Sequence, residues 1–126
     1  MLRVQGHIKH RVLALDDQQE LLRLLERLLI RAGYEAIVTT DPAQVAPLAK
    51  AMTPAIILLD IHLPGTTGFE VFKGVREVCG APVIFLTSDD RAATKAHAVQ
   101  VGADLLTKPV NPSELFTLMK AALSTA

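Results

Sequence analysis

With 126 residues, half of them hydrophobic, the chain has apolar material for one domain with its own core. Thirteen basic residues balance thirteen acidic ones, so net charge gives no general attraction to a nucleic-acid backbone. A single cysteine, Cys79, excludes an internal disulfide framework and suits a reducing cytoplasm, and four Phe, one Tyr and no Trp point to an aliphatic core.

Residues 1–10 hold Arg3, His7, Lys9 and His10 without an apolar run. They read as a poorly ordered leader, neither signal peptide nor membrane anchor, with one folded unit expected over 11–126. Arg11 to Leu15 is a short apolar run that stops on Asp16 and Asp17. From Gln18 to Ala32, Leu21, Leu22, Leu25, Leu28 and Leu29 recur at helical spacing between charged residues. That pattern predicts an amphipathic helix closed by Gly33. Glu35 to Thr39 is the next strand. Asp41-Pro42 then gives an N-cap and a first-turn proline, but Pro47 would remove a donor inside the helix, so a kinked or late-starting helix is expected.

Ala55 to Leu59 is five apolar residues in a row, bounded by Pro54 and a Pro/Gly-rich loop. Such a run reads as a strand buried on both faces, and it stops on Asp60. Phe69 to Cys79 follows as a helix ended by Gly80. Pro82 to Thr87 is a further buried strand ending on a hydroxyl. The helix from Asp90 to Gln100 is rich in alanine, with Val99 its only large apolar residue, and should be the least firmly held. Gly102 to Lys108 is a short strand before Pro109. Asn111, Pro112 and Glu114 match N-cap, N1 and N3 of a final helix through Leu115, Phe116, Leu118, Met119, Ala122 and Leu123.

Five strands alternating with five helices predict an α/β fold, a doubly wound five-stranded parallel sheet. Its strand ends then gather Asp16, Asp17, Asp60, Thr87 and Lys108 at one edge, where such sheets bind ligands. Three carboxylates together repel unless a divalent cation joins them, and an all-oxygen site with several waters suits Mg²⁺, or Mn²⁺ in its place. A lysine and a hydroxyl facing the same spot are what a phosphoryl group needs. Neither G-x-x-x-x-G-K-[ST] nor G-x-G-x-x-G occurs, which argues against a bound nucleotide and against a flavin. A carboxylate beside Mg²⁺ can itself take the phosphoryl group.

From Arg11 to its end the chain resembles the receiver domain of two-component response regulators. The resemblance implies the flavodoxin-like strand order 2-1-3-4-5 and a signalling role without enzymatic turnover beyond self-phosphorylation from small donors and self-dephosphorylation. It implies Asp60 as phosphoryl acceptor, Thr87 as switch hydroxyl and Lys108 as phosphate-binding lysine. Asp17, Asp60 and the backbone carbonyl of His62 would be direct metal ligands, with Asp16 holding the metal's water shell. Lys108-Pro109 corresponds to a step that is usually cis, and Leu63-Pro64 and Gly68 match the loop after the acceptor.

The implied partner is a sensor histidine kinase or a histidine phosphotransfer protein. Neither nucleic acid nor a membrane is implied for this domain, while a homodimer or a covalently linked output domain is compatible with it. Two departures bear on signalling: Leu105 stands where the family usually has Tyr or Phe, and Gly102 to Lys108 is one residue shorter than the common form. They support an alternative, an interaction module of the same fold that does not switch by phosphorylation. A Mg-dependent phosphohydrolase forming an aspartyl phosphate is a further alternative, but its second acid would fall where His62 stands. Bland roles remain the first expectation for several residues: an exposed loop position for His62, solvated His7, His10 and His97, a packing role for Cys79, and helix capping for Asp89 and Asp90.

Overall fold

Each short apolar run becomes a strand. In this computed structural model, which describes residues 9–124, the strands are β1 (Arg11–Leu15), β2 (Glu35–Thr39), β3 (Ile56–Asp60), β4 (His62–Leu63), β5 (Thr66–Thr67), β6 (Val83–Thr87) and β7 (Asp104–Thr107). The helices are α1 (Gln19–Arg31), α2 (Val45–Met52), α3 (Gly68–Arg76), α4 (Ala92–Gln100) and α5 (Pro112–Ser124). One parallel sheet has the order β2-β1-β3-β6-β7, while β4 and β5 pair only with each other. With that small hairpin set aside, the order is the expected 2-1-3-4-5. Most of the expected leader, residues 1–8, lies outside the described residues; the His10 carbonyl already accepts the Glu35 amide at 3.0 Å.

Because strand side chains alternate, the sheet carries two cores. Leu13, Leu15, Ile57, Leu59, Val83 and Phe85 share a buried cluster with residues of α2, α3 and α4. Val12, Ala14, Ile56, Leu58, Ile84 and Leu86 share the other with residues of α1 and α5. All five residues of β3 and all five of β6 are buried, as continuous apolar runs require.

The caps explain where helices begin and end. Past α1, Gly33 adopts φ +96°, and the amides of Gly33 and Tyr34 bond the carbonyls of Ile30 and Leu29, a Schellman closure. The helix expected after Asp41 does start late: Pro42–Gln44 is a 3-10 turn and α2 begins at Val45. Pro47 thereby falls in the first turn of α2, where amides lack helical partners anyway. The helix α3 is shorter than expected, ending at Arg76 instead of Cys79. The Arg76 guanidinium donates to the carbonyls of Cys79 and Ala81 at 2.8 and 2.9 Å, which holds the chain in a turn. At α5 the Asn111 side chain accepts the Glu114 amide at 3.1 Å, as its sequence suggests. Among the described residues, no helix is long and apolar enough to cross a membrane.

Candidate functional site

The chain reverses its winding direction between β1 and β3, and the carboxyl ends of these two strands open a crevice. Asp16 and Asp17 follow β1, and Asp60 ends β3. One side-chain oxygen from each of these three residues lies within 4.8 Å of the others. Asp16 is fully buried and Asp60 is 3% exposed, while Asp17 is exposed. From the end of β7, Lys108 Nζ reaches to 2.9 Å from Asp16 Oδ2 and 3.4 Å from Asp60 Oδ1. Thr87, buried at the end of β6, accepts the Lys108 amide on its carbonyl at 2.7 Å. All five expected residues therefore lie at one edge of the sheet.

Asp16 Oδ1 accepts the Gln18 amide at 2.9 Å, but Oδ2 has only the ion pair and no hydrogen bond. Burial pushes the Asp60 carboxyl up to about 7, and the Asp16 charge adds to the rise while Lys108 opposes it. One ammonium, paired with Asp16 and Asp60 only, leaves excess negative charge among the three carboxylates. A buried oxygen without a hydrogen bond and an all-carboxylate donor set fit a hard divalent cation such as Mg²⁺. The Lys108-Pro109 peptide is cis.

Residues 12–120 match the response regulator receiver domain as a family. The chain belongs to that family. It is 37% identical over 114 residues to the transcriptional regulatory protein YvrH of Bacillus subtilis strain 168, across 89% of this chain and 48% of that protein. The alkaline phosphatase synthesis transcriptional regulatory protein PhoP of the same organism is 34% identical over 115 residues, again across 90% of this chain and 48% of the relative. The chain thus spans about half the length of these relatives. The chemotaxis protein CheY4 of Vibrio cholerae superposes with a TM-score of 0.85 at 30% identity, covering 92% of this chain and 100% of that one. Receiver domains are signalling domains, and they typically bind Mg²⁺ at an acidic pocket like this one.

In this receiver domain the loop after β3 is set by backbone contact. The Gly68 amide donates to the Ile61 carbonyl at 2.7 Å, and a Cβ at position 68 would collide with the Asp60 carbonyl oxygen. Thr67 caps α3 by accepting the Glu70 amide at 3.2 Å. Thr-x-x-Glu is a recognisable helix start, so the first turn of α3 was legible in the sequence although Phe69 marks the expected boundary.

Asp89 departs from expectation. Neither it nor Asp90 is the N-cap of α4; that position is Arg91, with no side-chain cap. Instead Asp89 Oδ1 accepts the Arg91 amide and Nε at 3.0 and 2.9 Å. Its Oδ2 accepts Arg91 Nη2 at 2.7 Å and the Thr94 hydroxyl at 2.8 Å, and lies 3.3 Å from His62 Nε2. These bonds, Arg91's first, hold the Asp89 carboxyl well below the usual carboxylate range. The Asp89 amide donates to Thr87 Oγ1 at 3.0 Å, which ties this cluster to the site. Thr94 carried no sequence signal, since a lone threonine in an alanine-rich helix has many uses. The His62 ring is largely exposed.

A groove of about 700 Å³ runs from Asp17, Asp60 and Lys108 between α1 and the loop after β7, past Leu21, Leu24 and Val110. Leu24, at its edge, is 50% exposed. Leu105 is half-buried, pairs with Phe85 across the sheet and packs against the core that includes α4's Ala98.

Proposed function

We propose that the domain takes a phosphoryl group on Asp60 from a phosphohistidine of a sensor histidine kinase or a histidine phosphotransfer protein. The observation that carries this reading is a nearly buried carboxylate at the end of the central strand, facing two more carboxylates and an ammonium 3.4 Å away. In the transfer, an Asp60 oxygen forms a bond to phosphorus as the phosphorus–nitrogen bond of the donor breaks. The imidazole leaves with the electron pair. Lys108 would take the charge of one phosphoryl oxygen, and Thr87 would donate a hydrogen bond to another.

Asp17, Asp60 and the His62 carbonyl would hold Mg²⁺, or Mn²⁺ in its place, with Asp16 ordering its water. When bound, the cation supplies positive charge that keeps Asp60 ionised and offsets the charge of the incoming group. Small phosphodonors would serve as substitutes for the partner, and self-dephosphorylation would be the only other turnover.

The folded receiver unit is proposed to run over 11–126, in a cytoplasmic protein, alone or joined to an output domain. The half-length matches to YvrH and PhoP support that second arrangement. The reading as a phosphohydrolase is weaker, because the His62 ring turns to Asp89. A non-switching module is the second reading, supported by the aliphatic Leu105.

Intact mass after incubation with acetyl phosphate and Mg²⁺ tests the proposal. One added phosphoryl group, absent without Mg²⁺ and absent in Asp60→Ala, is the expected result. Unmodified protein, under conditions that label a control receiver domain, would give the second reading the advantage.

A further inference from the structure

The acidic site opens sideways into carbon. Asp60 and Lys108 line one end of the groove of about 700 Å³, and the rest of it is an apolar trough between α1 and the loop joining β7 to α5. Leu21, Leu24 and Leu28 recur at helical spacing and make one wall, about 10 Å long. Pro109, Val110 and Pro112 make the other. The two prolines have no backbone N–H, so this wall presents carbon surface with few donors to satisfy. Leu24 is 50% exposed, and Leu21, Leu28 and Val110 are half-buried. An apolar lining with a few converging polar groups is the usual make-up of a small-ligand site, and the volume falls in the ordinary range for one, about 300–1,000 Å³.

The two ends together specify what fits. At the polar end Lys108 Nζ lies 3.4 Å from the acceptor carboxylate, which suits a phosphoryl group. Beyond Gln18, Ser88 and the residues of the acidic cluster with its loop, every residue lining the groove is apolar. A short polar donor would fill only the first part and leave the trough wet. An anion carrying an alkyl tail satisfies both parts.

We propose that the trough binds the hydrocarbon tail of a medium-chain acyl phosphate, so that such a molecule phosphorylates Asp60 faster than acetyl phosphate does. The proposal rests on Asp60 being the phosphoryl acceptor. In the reaction an Asp60 oxygen bonds to phosphorus while the bond from phosphorus to the acyl oxygen breaks. The fatty carboxylate leaves with the electron pair, and no proton has to move. The tail lies along α1 and holds the phosphoryl group at the acceptor, which raises its effective concentration there.

Acetyl, butyryl and octanoyl phosphate, compared by intact mass in the presence of Mg²⁺, test the proposal. A methylene wholly withdrawn from water gains about fourfold in binding, and one in a trough open on one side gains roughly 1.5-fold. The second-order labelling rate should therefore rise with chain length, to about tenfold for octanoyl over acetyl phosphate. The double variant Leu24→Gln, Val110→Thr makes one residue of each wall polar and should cut that ratio to about threefold or less. Leu24→Met keeps an apolar side chain and should retain it. Octylphosphonate has the same head and tail but cannot transfer its phosphorus. It should shift the methyl NMR signals of Leu21, Leu28 and Val110 in the wild type.

Equal rates for the three donors in the wild type would overturn the proposal. So would a chain-length gain that survives intact in the double variant, since the tail would then bind elsewhere. Failure of every donor, acetyl phosphate included, to label the wild type would count against Asp60 as acceptor. The octylphosphonate shifts would then decide the trough, and their absence would overturn it.

Discussion

Lys108 Nζ stands 2.9 Å from Oδ2 of Asp16, a carboxylate with no exposed surface. A buried ion pair adds little net stability, yet removing one member leaves a buried charge uncompensated. Lys108→Met keeps much of the apolar stem and removes the ammonium. It should lower stability at pH 7.5 by roughly 3 kcal/mol in urea unfolding, and millimolar Mg²⁺ should restore part of the loss. An unchanged midpoint would mean that Asp16 is neutralised without Lys108.

The pH dependence follows from Asp60. Its folded-state value of about 7 lies above the ordinary 3.8, so folding favours the protonated carboxyl. The stability this group contributes is complete below pH 3.8 and is lost as pH rises through about 7. Asp60→Asn is neutral throughout. Without metal the variant should be more stable than the wild type at pH 8, by up to about 4 kcal/mol, and the two should converge near pH 4. Thermal melts across that range check it; parallel curves would reject it.

Asp17 is exposed and adds charge to an already crowded cluster. Asp17→Asn should abolish Mg²⁺ binding in a calorimetric titration, since this cation dehydrates reluctantly and needs the charge. The metal-free fold should be as stable or more stable, because repulsion falls. A clear drop in melting temperature would assign Asp17 to the fold.

Gly68→Ala places a methyl group against the Asp60 carbonyl oxygen. Backbone must move to admit it, at roughly 2 kcal/mol. Phosphorylation by acetyl phosphate should slow along with the loss, because the residue displaced is the acceptor itself. Full stability with unchanged labelling would show that the loop yields freely.

The sheet was legible because Ala55 to Leu59 and Val83 to Leu86 are unbroken apolar runs, which only a strand covered on both faces explains. The site was legible because Asp16, Asp17, Asp60, Thr87 and Lys108 each follow or end such a run. The Asp89 cluster was not: its partners His62, Arg91 and Thr94 belong to three segments with no shared periodicity. Nor was the short α3, whose end is decided by where the Arg76 guanidinium finds carbonyls. Such choices are made by side chains meeting in space, and local pattern carries no trace of them.

The short seventh strand has a consequence for how this sheet tolerates changes in length. Ile84 to Thr87 pair with Asp104 to Thr107 without a break, and the Lys108 amide continues the ladder onto Thr87. No unpaired residue remains between Asp104 and Lys108, so a change of length here could be absorbed only in the turn near Gly102, at the opposite edge. One residue of strand is about 3.3 Å, enough to carry an ammonium out of reach of any oxygen it now touches. The carboxyl edge is therefore the fixed datum of the architecture, and insertions or deletions are accommodated at the amino edge, where they leave the lysine in place.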